Sequence, residues 1–476
     1  MNTDPMARDG APNRRMQKML RELGAIDLAV TLLQRPFQKG VEIDQVRDHP
    51  DLKILKNVLN LLYRLLKQSC KEDGEKSRNS KILLDFIPIM RQQLGKGILV
   101  TPTLKEIFVN KLDLLHKINE DLVNHFVDLL KENKEPQYID FLMSVCTIGS
   151  TQSLEPVTRV QNMVTDVLLD KNPEILPRVV IEQTSRGGIS MRITVRGWKD
   201  SAAREFWIDC AQYHQDKVVR SKKEDYVGWI INAPLAQLTQ EEKVLRYFIR
   251  CTNLYSRLVL GRNQYALSHL ILNKALCLSY SEILGVMKET SLPYLLRARY
   301  FNLMTRLYVD RNPQSSVPTI VSTRLWCHCK PEMTDLQQVM PHQASIPTCE
   351  DNFRYLQTFL IAELRKLAGC KEEKGHPSLN NEPKFGQLEM IRSMLSLTDL
   401  LLEYGFFRTE VHDLHVDDSK VTNNLEEGFF RSGKRVLGKI HNQTMTLSAD
   451  VLTEADAKVR EALFAFLSTS VTISQL

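Results

Sequence analysis

The chain has 476 residues, enough for two or three domains that each bury a core, or for one extended helical array. Hydrophobic content of 43% and charge of 25% are those of an ordinary globular protein, and a net charge of +6 over this length marks no nucleic-acid face. Nine cysteines spread from Cys70 to Cys370 form no secreted-domain framework, the opening residues lack the apolar core of a signal peptide, and no run approaches the roughly 18 apolar residues of a membrane span.

From Arg14 to about Asp170, apolar residues recur at helical spacing with short polar interruptions. Leu52, Leu55, Val58, Leu59, Leu62, Leu65 and Leu66 make one such run, and Leu112, Leu115, Ile118, Leu122 and Phe126 another. Such faces are stable only when packed on neighbouring helices, and stacked helices without an exact repeat predict an armadillo-like solenoid. Between about Asn172 and Pro234 the pattern changes to alternation at Ile189, Met191, Ile193 and Val195, followed by Phe206-Trp207-Ile208, which predicts a small β insertion. Its charged tail, Lys217 to Asp225, reads as solvent-exposed.

Helical spacing resumes at Glu241 and runs through Leu292 to Gln314, where Pro293 suits a first helical turn, Leu296, Tyr300, Leu303 and Leu307 share a face, and Asn312-Pro313 stops the helix. Loops follow at about Pro313 to Pro347 and Cys370 to Phe385. An amphipathic helix is expected over Leu395 to Phe407 and a last one over Ala449 to Leu467. The predicted fold is all-α, an armadillo-like helical solenoid with a small β insertion. Its segments are 13–171 (helical), 172–234 (β-containing insertion or linker), 235–416 (helical) and 417–476 (C-terminal tail).

Arg14, Lys18 and Arg21 stand at i, i+4 and i+7, so at about 100° per residue they fall within an arc of about 60° on one helix face. Guanidinium groups pair their donors on phosphate oxygens and lysine adds a mobile charge, so the trio suits a polyanion; a solvated basic face is the plainer reading. Cys327, His328 and Cys329, with His342 and Cys349, are too closely spaced for a zinc knuckle and lack a matching second pair. His412, Asp413 and His415 read as a surface cluster. The chain contains no phosphate-binding loop, no Gly-x-Ser-x-Gly elbow and no His-Glu-x-x-His, and its acidic pairs lack calcium-loop spacing. No catalysis, metal or cofactor is expected.

Leu292, Pro293, Tyr294, Leu296, Arg297, Ala298, Leu303, Met304, Val309, Asp310, Arg311, Pro313 and Gln314, followed by Arg324-Leu325-Trp326, resemble a segment of the inositol 1,4,5-trisphosphate receptor family. Asn13-Arg14, Gln17-Lys18, Arg21-Glu22, Leu32-Leu33-Gln34 and Pro36-Phe37 resemble the opening of that family's helical ligand-binding domain. Tyr63-Arg64, Phe126-Val127 to Glu135-Pro136 with Asp140 and Leu142, and Tyr404-Gly405-Phe406 add further matches in the same order. The resemblance covers about 13 to 410, the helical half of the ligand-binding core and the homology region shared with ryanodine receptors. The receptor's β-trefoils and pore are not represented, and a start so close to the first match suggests truncation.

The resemblance implies that Arg14, Lys18 and Arg21 grip an inositol phosphate from the helical side. The family's tyrosine-arginine-lysine-asparagine run corresponds to Lys76-Ser77-Arg78-Asn79, so Arg78 is the fourth ligand-binding candidate and the tyrosine is replaced. Implied partners are inositol 1,4,5-trisphosphate, bound weakly by this chain alone, and other receptor domains or subunits, with no nucleic acid and no membrane span in this chain. The implied location is the cytosolic face of the endoplasmic reticulum if the chain is part of a receptor, and the cytoplasm otherwise. The alternative is a helical-repeat adaptor for protein partners that has lost ligand recognition.

Overall fold

The computed structural model describes residues 11–40, 52–72, 77–149, 154–183, 189–197, 206–210, 226–273, 276, 278–311, 355–360, 362–363 and 385–403. Their packing defines two units. The first comprises Met1–Val180, Ile193–Ile208 and Thr239–Cys277, the second Ile181–Arg192, Asp209–Leu238 and Leu278–Leu476. The fold is all-α with small β additions, as the apolar spacing predicts.

In the first unit the helices are α1 (Arg14–Glu22), α2 (Ala25–Gln38), α3 (Lys53–Cys70), α4 (Arg78–Leu84), α5 (Ile87–Gln92), α6 (Val100–Phe108), α7 (Leu112–Leu115), α8 (Glu120–Glu132), α9 (Pro136–Val145) and α10 (Thr158–Val164). Short connections force neighbours to pack on one another, α2 and α6 on α3 and α8 on α9. Phe126 of α8 stacks on Phe141 of α9 with ring centroids 4.0 Å apart, and Phe108 of α6 meets Phe141 edge-on. All three rings are buried, each adding about 2 kcal/mol of hydrophobic stabilisation.

The run from Leu112 to Phe126 is not one helix. The four-residue α7 ends at Leu115, and Asn119 caps the start of α8 by accepting from the Leu122 N–H at 3.2 Å. An N-cap asparagine satisfies a first-turn N–H that no helical carbonyl reaches, which favours a fresh start over continuation. In α3 the predicted stripe divides in two: Leu59 and Leu66 are buried, whereas Val58 and Leu65 face outward.

The first unit also holds a two-stranded antiparallel ribbon not anticipated from alternation, β1 (Thr147–Gly149) paired with β2 (Leu154–Pro156). Its last helices are α12 (Gln240–Leu258) and α13 (Gln264–Leu272); between β2 and these, α11 (Tyr226–Asn232) lies in the second unit. α12 begins with a capping box, the Thr239 hydroxyl accepting from the Glu242 N–H and the Glu242 carboxylate from the Thr239 N–H. Strands β3 (Arg178–Gln183), β4 (Ile189–Val195) and β5 (Phe206–Asp209) form a three-stranded sheet in that order, the predicted β insertion. Along β4 the alternation of buried and less buried residues gives way to continuous burial over Ile193, Thr194 and Val195.

The second unit contains α14 (Tyr280–Lys288), α15 (Tyr294–Met304) and α16 (Phe385–Glu403), with α15 packed against both others. Pro293 is the N-cap of α15 rather than part of its first turn. Arg297 on α15 is buried: its Nε and Nη2 both donate to the Met287 carbonyl, at 2.9 and 2.7 Å, and its Nη2 lies 4.0 Å from Glu363. Burial lowers the Arg297 pKa, opposed by Glu363 and Glu289. Burial would raise the Glu289 carboxyl, yet the N–H groups of Ile189 and Ser291 and the charge on Arg297 hold it below its usual value.

Two helices end alike. After α10, residues Thr165–Asp170 wind as a π-helical turn, and after α15, Thr305–Val309 do the same. Each turn opens on a threonine whose hydroxyl donates to the carbonyl four residues back, Gln161 and Phe301, at 2.8 Å in both cases. Each carries an i→i+5 bond, Lys171 N–H to the Asp166 carbonyl and Asp310 N–H to the Thr305 carbonyl.

Candidate functional site

The basic trio lies on α1, whose N-cap Asn13 accepts from the Met16 N–H. Arg14 and Lys18 are exposed, Lys18 beside Glu22 at 3.7 Å, whereas Arg21 is half-buried and turned toward α4. An exposed ion pair of this kind is worth well under about 1 kcal/mol and leaves Lys18 available to a stronger anion. Arg78 is the first residue of α4 and exposed; the Ser77 before it takes a left-handed backbone, φ 42°.

What joins these elements is the carboxyl end of α3. The last carbonyls of any helix lack intrahelical partners and carry partial negative charge. Here four consecutive carbonyls accept from side chains of three other elements. Gln17 Nε2 on α1 donates to Gln68 O at 2.9 Å and Lys71 O at 2.6 Å. Asn79 Nδ2 on α4 donates to Ser69 O at 2.8 Å and to Gln17 O at 3.1 Å. The buried Lys111 ammonium takes Cys70 O at 2.9 Å, together with Ser80 Oγ at 2.8 Å and Glu106 O at 2.7 Å. Asn79 Oδ1 then accepts from Arg21 Nη1 at 2.9 Å.

This geometry brings Arg21 of α1 to the residue that follows Arg78, so two of the four predicted side chains emerge from one junction. Positive charge is concentrated there. Glu106 is pushed above its usual pKa by burial, although Lys111, Lys67, Lys71 and Lys105 all act to lower it. Sequence reasoning named the trio and Arg78 but missed Gln17, Asn79 and Lys111 as the fasteners beneath them. Asn79 was visible as the last member of the Lys76-Ser77-Arg78-Asn79 run; Lys111, between two short helices, carries no periodic signal. Lys76, the Cys327 to Cys349 cluster, the His412 to His415 cluster and the 417–476 tail lie outside the described residues.

Residues 1–179 match the family model of the RIH domain. Over 324 residues, 67% of the chain, the sequence is 28% identical to inositol 1,4,5-trisphosphate receptor-like protein A of Dictyostelium discoideum. The chain is similar to inositol 1,4,5-trisphosphate receptors. It is also 25% identical over 329 residues to the inositol 1,4,5-trisphosphate receptor itr-1 of Caenorhabditis elegans. The matched region spans 8% and 10% of the length of these two relatives. Both are named as receptors rather than enzymes. Among the described residues, no helix is long and apolar enough to cross a membrane.

Proposed function

We propose that this chain is a non-catalytic helical regulatory module of an inositol trisphosphate receptor, in which Arg14, Lys18, Arg21 and Arg78 contact the phosphates of an inositol polyphosphate. The observation that carries the reading is the Arg21 to Asn79 hydrogen bond, which ties the basic face of α1 to the start of α4 where Arg78 stands. An anion that draws the Arg21 guanidinium onto a phosphate competes with Asn79 Oδ1. Binding therefore favours one arrangement of α1 on the α3 junction over another, and a ligand shifts a conformational equilibrium only through such differential contact. In a calcium release channel this is how a cytosolic module, on the endoplasmic reticulum face, would pass ligand occupancy to other receptor domains or subunits.

Ser77 stands where the family run has its first basic residue, and without a β-trefoil facing the helices the anion's other phosphates stay in water; each lost charge-assisted contact is worth about 1.5 to 3 kcal/mol, so binding without an added β-trefoil is expected at about millimolar affinity. Isothermal titration of inositol trisphosphate at low salt, with and without a receptor β-trefoil added, is the test. The variant carrying Arg14→Gln, Lys18→Gln and Arg21→Gln loses binding with its circular dichroism unchanged, and the added β-trefoil strengthens the unmodified chain only. Equal binding by variant and parent in both settings refutes the ligand-site reading. The adaptor reading then takes its place, and it has its own support in an outward-facing apolar stripe on α3.

A further inference from the structure

Eight of the fifteen large apolar side chains exposed among the described residues lie on α1, α2 and α3, and a ninth, Leu23, caps the end of α1. Four of them, Ile54, Val58, Leu61 and Leu65, are 77%, 46%, 50% and 38% exposed and stand at i, i+4, i+7 and i+11 on α3. That 4-3-4 spacing is the seam of a helix that packs against another helix, and it runs for about 16 Å, three turns. It sits roughly 140° around α3 from the buried Leu59, Tyr63 and Leu66. The core of the first unit therefore leaves it uncovered, and α3 is apolar on two faces.

Charge identifies what would cover it. α3 carries Lys53, Lys56, Arg64 and Lys67 and no acidic residue. Helices α1 to α3 together hold nine basic and two acidic side chains, a net of +7, whereas the entire chain nets +6. A second copy would set one net-positive α1–α3 surface against another, with Lys53 and Arg64 roughly 100° from the stripe on each α3, which opposes self-association. We propose that α3 is a docking surface for an amphipathic helix of another protein that carries acidic residues beside its apolar stripe, held by helix-in-groove packing and steered by the basic side chains. The surface is separate from the anion site, because on α1 the basic trio points away from the exposed Met16 and Met19 by roughly half a turn.

The experiment uses the full chain and two fluorescein-labelled three-heptad peptides, both with leucine at the a and d positions, one flanked by glutamate and the other by lysine. Fluorescence anisotropy is expected to show saturable binding of the glutamate peptide, weakened severalfold by raising salt from about 50 to 300 mM, and binding of the lysine peptide at least about tenfold weaker. The variant Val58→Asp, Leu61→Asp changes two outward side chains, keeps its helical circular dichroism and loses the glutamate peptide by more than about tenfold. The Val58→Asp, Leu61→Asp variant keeps the parent's response to inositol trisphosphate, which separates this surface from the anion site. Three results overturn the proposal: equal affinity for the two peptides, undiminished binding by the Val58/Leu61 variant, or a concentration-dependent dimer by sedimentation that this variant abolishes, which would assign the stripe to a second copy.

Discussion

Replacing Asn79 with alanine removes the side chain on which α1, α3 and α4 converge. Asn79 is 1% exposed and makes two hydrogen bonds to carbonyls, at 2.8 and 3.1 Å, and one from the Arg21 guanidinium at 2.9 Å. A neutral bond contributes about 1 kcal/mol and one to a charged group about 1.5 kcal/mol where it is partly screened, so the loss of two neutral and one charged sums to about 3.5 kcal/mol. Ser69 O, left buried at a helix end, contributes through its lost partner and is not counted again. The cost falls on the junction and not on α12, which packs on α9. Native-state hydrogen exchange followed by mass spectrometry reads this directly: α1 and the start of α4 exchange about 300-fold faster, while α12 keeps its protection. Arg21→Gln, which deletes only the charge-assisted bond, accelerates the same amides about tenfold. A change below threefold in α1, or one spread evenly through the first unit, would refute the view that these bonds fasten α1 to the end of α3.

Arg297→Met is expected to destabilise the second unit by about 3 kcal/mol in urea unfolding, because it leaves the Met287 carbonyl and Glu363 without their cation; Arg297→Lys recovers only part, since an ammonium cannot place two fixed N–H groups on one oxygen. Gly261→Ala lowers the melting temperature by more than about 4 °C, for Gly261 has φ +74° and an added Cβ would strike the ring of Pro156 on β2. Burial, with a smaller contribution from Arg91, holds the His125 pKa below 6.5. Protonation therefore favours the unfolded chain, so the stability His125 supports is complete above pH 6.5 and is lost as pH falls through the lower folded value. His125→Gln flattens that acid-side decline in melts taken from about pH 7 to 5.

Helices such as α12 and α16 were readable from spacing, and the strand residues of β4 and β5 announced themselves by their apolar pattern. The failures have local causes. Asn119 interrupts an apolar run that periodicity alone carries through from Leu112 to Phe126. The β1 and β2 strands are three residues each, shorter than any alternation that could reveal them. On α3, spacing identifies apolar positions but cannot say that one stripe meets the core and the other solvent. At the candidate site the trio was legible because it obeys helical period. Its support was not, since the bonds that place α1 on α3 and α4 join side chains to carbonyls 51 to 62 residues away and leave no pattern in either segment.

The paired π-helical turns point to an internal repeat in the chain. Arg159, Asn162, Thr165, Asp170, Asn172 and Pro173 recur, each 140 positions later, as Arg299, Asn302, Thr305, Asp310, Asn312 and Pro313, with Lys171 answered by Arg311. In both segments the widened turn begins at the corresponding threonine, and the i→i+5 bonds lie one residue apart in register, Lys171 to Asp166 and Asp310 to Thr305. An i→i+5 turn accommodates one residue more than the α-helical path needs, a costly irregularity to acquire twice at matching positions. The shared spacing and shared irregularity align these two segments as an internal repeat with an offset of 140 residues.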